Sequence, residues 1–136
     1  MASQDYVQAA SNLYAAFMRG DIDGFLEAMA EDVVLVSDPG TDEIPWHGTR
    51  RGREGVRTHL GLVTEHLEVE TLEQVDFLTS GNKVAVVNRM EGKIKKNGEK
   101  VTFNEMVQIW TFNEAGQVTS WVDVYDGTRF LTALRG

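Results

Sequence analysis

The sequence predicts an α+β domain, on three observations. Apolar residues recur at helical spacing in the first third of the chain. The second half consists of β-branched runs divided by short turn signals. The two kinds of segment are segregated, helices first and an antiparallel meander after, which is the α+β order. The 136 residues are read as one domain, 1–136. A chain of this length buries roughly two-thirds of its unfolded surface, so a core can form without staples.

Each element follows from its local pattern. Tyr6, Val7, Ala10, Leu13, Tyr14 and Phe17 place a first helix over residues 4–18. Gly20 suits its C-terminal cap and Asp21 the N-cap of a second helix, whose stripe is Ile22, Phe25, Leu26 and Met29. "DVVLVSDP" is a short β-branched strand that Pro39 stops, and "GTDEIPWHGTRRG" reads as a loop. Val56, Leu60, Val63 and Leu67 mark a third helix. Four strands follow, "VETLEQVDFLTS", "KVAVVNRMEGKIKK", "KVTFNEMVQIWTF" and "QVTSWVDVYD", joined by "SGN", "KNGE" and "NEAG". Asn97-Gly98 signals a hairpin whose two central residues both need positive φ. "RFLTALRG" is read as a last half-turn of helix.

Composition removes several function classes. The net charge is −8, with 21 acidic against 13 basic residues, whereas a nucleic-acid partner needs a basic surface. The basic "RRGREGVR" is interleaved with glycine and reads as a loop entering a helix. There is no cysteine, hence no disulfide framework and no thiolate chemistry, in agreement with a cytoplasmic location. The N-terminal "MASQDYVQAA" lacks the pattern of a signal peptide, and no apolar run reaches membrane-spanning length. His47 lies in a loop and His59 and His66 on the third helix, with no metal-ligand spacing. No phosphate-binding glycine motif and no nucleophile elbow occur, so neither metal nor cofactor is expected.

The residues that invite chemistry are charged groups on strands. Arg89 and Glu91 lie two apart in "VAVVNRMEGKI" and so share one strand face. That face is either solvent, where the pair is an exposed ion pair, or the wall of a cavity. The cavity face is expected, with Val84, Val86 and Met90 forming an apolar outer row on which a second copy would pack as a homodimer. Trp121, Asp123 and Tyr125 likewise share a face. Tyr14, Phe17, Trp46, Trp110, Trp121 and Tyr125, with Phe103, form an aromatic set that serves as core, as pocket lining, or as both.

The order of helix, "GDIDGFLEAMAEDVVLVSDP", loop, "GREGV" and a meander ending "GQVTSWVDVYD" resembles the nuclear transport factor two-like fold over nearly the whole chain. Within it the chain resembles the SnoaL-like group, which includes ketosteroid isomerases, polyketide cyclases and limonene-type epoxide hydrolases. The resemblance implies a cone-shaped barrel, a strongly curved and mainly antiparallel sheet packed against three N-terminal helices. By resemblance to the epoxide hydrolases, Asp123 would be the base that activates water, Glu91 the acid and Arg89 the bridge between them. Glu91 stands where that family has Asp, and "VLVSD" offers only Ser37 and Asp38 to hold a water. By resemblance to the isomerases, Asp38 before Pro39 would shuttle a proton. Its alternative is to open a turn. The tyrosine of that family's oxyanion hole aligns with Leu13, next to Tyr14, and the acid aligns near Gln108. The expected activity is cofactor-free acid–base chemistry on a hydrophobic polyketide- or terpenoid-like molecule. That chemistry would be epoxide opening, ring closure or isomerisation. The alternative is a non-catalytic binding or dimerisation module of the same fold.

Overall fold

A computed structural model describes residues 3–136. Helix α1 (Ser3–Met18) buries Tyr6, Ala10, Leu13 and Tyr14, the stripe that the spacing predicts. Gly20, at φ 74°, ends it, and the Asp21 carboxylate caps helix α2 (Ile22–Glu27) by accepting from the Gly24 N–H at 2.9 Å. Met29 is not on that helix. It opens strand β1 (Met29–Ser37) and pairs with Val118. Strand β2 (Gly48–Arg51) lies inside the segment read as a loop, because four residues of Gly-Thr-Arg-Arg carry no apolar alternation. Helix α3 (Gly52–His66) hands over to strand β3 (Leu67–Ser80) at Leu67. Strands β4 (Lys83–Ile94), β5 (Lys100–Phe112) and β6 (Val118–Val124) complete the sheet. The C-terminal segment is a full helix, α4 (Gly127–Arg135), capped by Asp126 and not the half-turn expected. The described residues thus form four helices, and α3 follows two strands, of which only β1 was expected.

The sheet is curved and does not close, with strand order β2-β1-β6-β5-β4-β3. Among the described residues only the β1–β6 pair is parallel. Bulges interrupt the β3–β4 and β4–β5 ladders near Asn88, where curvature is introduced. Edge strand β3 carries Glu68, Glu70, Glu73 and Asp76, charges that discourage further strand addition. The β4–β5 hairpin forms at the predicted place but with a different turn. The Ile94 N–H donates to the Glu99 carbonyl, so four residues make the loop, and only Gly98 takes positive φ, at 73°.

The facing of β4 reverses the expectation. Val84, Val86, Asn88 and Met90 point inward and are buried, whereas Arg89 and Glu91 are exposed. Val84, Val86 and Met90 are therefore core and not an outer docking row. A strand with small apolar residues on both faces (Ala85 and Val87 oppose that row) leaves its orientation open in sequence; packing against α1 decides it. Two apolar clusters result. One, under α1 and α2, is built on Leu13, Phe25, Trp110 and Trp121. The other, under α4, is built on Ile44, Trp46, Phe103 and Phe130. Among the described residues no helix is long and apolar enough to cross a membrane.

Candidate functional site

The two clusters leave a cavity between the helices and the inner sheet face, and its walls come from both. Strand register sets its polar floor. Ser37 pairs with Asp123 and Asp123 with Gln108, so three polar side chains line up across β1, β6 and β5. The next row is Leu35, Trp121 and Trp110. The cavity has a volume of about 110 Å³. Its walls include Tyr14, Phe17, Trp46, Trp110, Trp121, Tyr125, His59, Gln108 and Asp123, and among the described residues no lysine or arginine.

Asp123 has a side chain only 8 % exposed. The Trp121 indole donates to Oδ1 at 2.7 Å, and the Ser37 hydroxyl and Gln108 amide, its register neighbours, favour its charge as weaker donors. Burial pushes the carboxyl up to about 6, against the pull of these three donors, which favour the ionised form. The result is a carboxylate that is charged at neutral pH yet ready to accept a proton. The Ser37 and Tyr125 hydroxyls are 3.2 Å apart. Serine has one proton, so while Ser37 donates it to Asp123, Tyr125 must be the donor to Ser37. The Tyr125 phenol is pushed up to about 12, first by burial, so it stays protonated and able to donate.

His59 faces Asp123 from α3, with Nε2 3.7 Å from Oδ2. That is within ion-pair reach but longer than a hydrogen bond. Burial and the positive charge of Arg50 push its imidazole down to about 4, and the Trp46 backbone acts weakly the other way. His59 is thus neutral at pH 7, and its ring stands edge-on to Trp121 with centroids 5.1 Å apart.

A second polar group sits beside the first. The Tyr14 hydroxyl donates to Gln108 Oε1 at 2.8 Å and accepts from the Trp110 indole at 3.0 Å. Asn88 donates to the same Gln108 oxygen at 2.7 Å, which turns the Gln108 amide nitrogen toward Asp123. Burial holds the Tyr14 phenol above its ordinary range.

The six aromatic candidates, Tyr14, Phe17, Trp46, Trp110, Trp121 and Tyr125, all reach the cavity wall, as does Asp123. Three proposed catalytic residues do not. Arg89 pairs with Glu73 at 3.0 Å on the outer face, both half exposed, and Glu91 is exposed beside it. Neither can bridge or protonate anything at Asp123. Asp38 is exposed and accepts from the Gly40 N–H at 3.0 Å, the turn-opening role. Ser37, one residue earlier, takes the inward place. His59 is the residue that sequence reasoning missed. It completes an i, i+3, i+4, i+7 stripe with Val56, Leu60 and Val63, which marks it as inward-facing. Asn88 carried the same kind of signal, alternating with Val86 and Met90.

The sequence profile of the SnoaL-like domain matches residues 10–121. No curated protein matches the chain. Among solved structures, an NTF2-like protein of unknown function from Burkholderia pseudomallei superposes with a TM-score of 0.88 at 26% identity, covering 100% of both chains. TerC, co-crystallised with polyporic acid, superposes with a TM-score of 0.86 at 27% identity, over 97% of this chain and 99% of that one. SalBIII, an epoxide hydrolase/cyclase-like enzyme, shares the fold with a TM-score of 0.74 at 21% identity, over 93% and 94% of the two chains. With the profile spanning most of its length, the chain belongs to the SnoaL-like domain family.

Proposed function

We propose that the protein is a small enzyme performing acid–base chemistry on a neutral, hydrophobic, ring-bearing molecule held in this cavity. One observation carries the reading. Asp123 is a buried carboxylate at the floor of an aromatic cavity, held by hydrogen-bond donors and with no lysine or arginine among the described residues of the cavity walls to neutralise it. A structural carboxylate would be expected to pair with a cation, whereas a catalytic base needs its proton affinity raised. Asp123 takes a proton from a carbon next to a carbonyl, or from a hydroxyl that then attacks an epoxide. The Tyr125 hydroxyl, turning its one proton away from Ser37, donates to the oxygen on which charge develops. The aromatic walls suit a flat ring system. SalBIII, described as acting in pyran ring formation, and TerC, crystallised with polyporic acid, agree with this class of substrate.

The test needs no knowledge of the native substrate. Deuterium exchange next to the carbonyl of a bound aryl ketone such as 1-tetralone is followed by NMR. The protein should accelerate exchange over buffer, and Asp123→Asn should lose about 100-fold or more of that acceleration. A second reading, a binding module, is favoured by one observation: Tyr14, Asn88 and Gln108 satisfy one another instead of aiming a free donor at a ligand. A ketone that binds without any faster exchange would support it.

We also propose a homodimer through the outer sheet face, on residues other than those first expected. Ala85, Ile109 and Val122 lie in one cross-strand row, and Val87, Val107 and Val124 in the next. Val124 and the flanking Leu78 are about half exposed. Two aliphatic rows, the second ending at Asp76 on the edge strand, are self-complementary under a twofold axis.

A further inference from the structure

We propose that His59 is a positioning residue acting through Asp123: as a neutral imidazole with its proton on Nδ1, it offers Nε2 as the acceptor for the carboxyl proton that Asp123 has taken up. The inference rests on the reading of Asp123 as the base and adds how that base is held in its second state. The ionised carboxylate is well provided for. The Trp121 indole and the Gln108 amide can only donate to it, and Ser37 donates while receiving from Tyr125. Of these, only Ser37 could take up the proton once it arrives, and then only by reversing its contact with Tyr125. The group placed at the other oxygen is His59, with Nε2 3.7 Å from Oδ2. A small carboxyl rotation on protonation would bring the two into hydrogen-bond range.

The surroundings of His59 select the neutral ring. It is 3 % exposed, and the titratable and charged groups around the pair are Arg50 from β2, Tyr14 from α1, Tyr125 beyond β6, and Asp123 itself. Arg50, whose guanidinium donates to the Trp46 and His47 carbonyls, places a positive charge against any imidazolium. His59 Nδ1 is the buried side-chain nitrogen that lacks a well-formed partner among the described residues, and the Trp46 backbone is the polar group that interacts with the ring. Because Nε2 is the nitrogen that faces Asp123, a proton on Nδ1 leaves the Nε2 lone pair toward the carboxyl. The step then balances. The substrate C–H breaks and its electron pair stays on the substrate as an enolate. The proton forms an O–H bond at Oδ2, which hydrogen-bonds to Nε2 without transferring. The same proton returns to the product, and the carboxylate is restored.

Two measurements test this without any substrate, so their failure is distinct from failure of the exchange experiment on Asp123→Asn. In the wild-type protein at neutral pH, nitrogen-15 NMR of the His59 ring should show Nδ1 protonated and Nε2 bare. An imidazolium or the opposite tautomer would overturn the proposal. Second, the Trp121 indole N–H signal reports Asp123 ionisation through its hydrogen bond to Oδ1. In His59→Phe, which keeps the ring's bulk and removes the acceptor, the midpoint of that titration should fall by about one pH unit. An unchanged midpoint means a packing role only, and a raised one means that His59 had served as a cation. Either would sink the proposal, and if His59→Phe does not fold, the tautomer measurement decides alone.

Discussion

Arg89 and Asp123 show how far single residues were legible. Both are charged groups on strands, and each shares a face with the residue two away. Parity says which residues share a face, not which face is inside. For Asp123 the neighbouring Trp121 and Tyr125 gave that answer; for Arg89 both faces of β4 are apolar enough to be buried, and the choice went the wrong way. Arg89 now belongs to an exposed pair with Glu73, worth well under ~1 kcal/mol. Arg89→Ala should accordingly shift the urea midpoint only slightly at neutral pH. A loss above ~2 kcal/mol would place Arg89 in a buried network that this structure lacks. The pH-sensitive part of stability resides instead in Asp123 and His59, with opposite signs. Asp123, pushed up to about 6, binds a proton in the folded state that the unfolded state has released, so its contribution falls as pH rises from 4 to 6. His59, pushed down to about 4, is neutral folded and charged unfolded, so its contribution rises over the same interval. The two largely offset one another.

At the scale of elements, the strongly periodic segments were readable and the contact-made ones were not. α1, the β3–β6 meander and its hairpins carry their patterns locally. β2 exists because Val34–Ser37 offers a free edge to Gly48–Arg51, which nothing in those four residues announces. The β1–β6 parallel pairing brings Ser37 beside Asp123 from opposite ends of the chain, so the polar floor depends on a long-range register that no short window contains. α4 is a wall as well as a cap. Phe130 packs edge-on to Trp46 with centroids 4.9 Å apart, and both line the cavity. Its first residue is tightly fitted: a Cβ on Gly127 would lie 2.5 Å from the Pro39 carbonyl oxygen and 2.8 Å from Pro39 Cβ. Gly127→Ala should therefore displace the start of α4 and cost about 1–3 kcal/mol, read as a lower urea midpoint. An unchanged midpoint would show that this end of the cavity is loosely packed.

For the whole molecule, the resemblance read from the order of segments gave the fold, because the SnoaL-like architecture is carried by that order and not by any single motif. It did not give the site. The residues carried over by family position, Arg89, Glu91 and Asp38, face solvent, while Asp123 stayed and acquired His59 and Ser37 as neighbours. Assembly follows the same lesson. The outer aliphatic rows should hold the 15.2 kDa chain as a dimer in sedimentation velocity at micromolar concentration. Ile109→Asp, at the centre of one row, should give a folded monomer. A monomeric wild type would remove the proposed interface.

The central claim is that Asp123 is the working base of this cavity, and the pH dependence of kcat/KM for ketone exchange tests it most directly. The rate should rise with pH through a single ionisation near 6, as the carboxylate forms, and then level off. A midpoint near 4, the ordinary carboxylate value, would contradict the raised proton affinity on which the reading rests. A profile that follows hydroxide in the buffer, or one that survives in Asp123→Asn, would contradict the account.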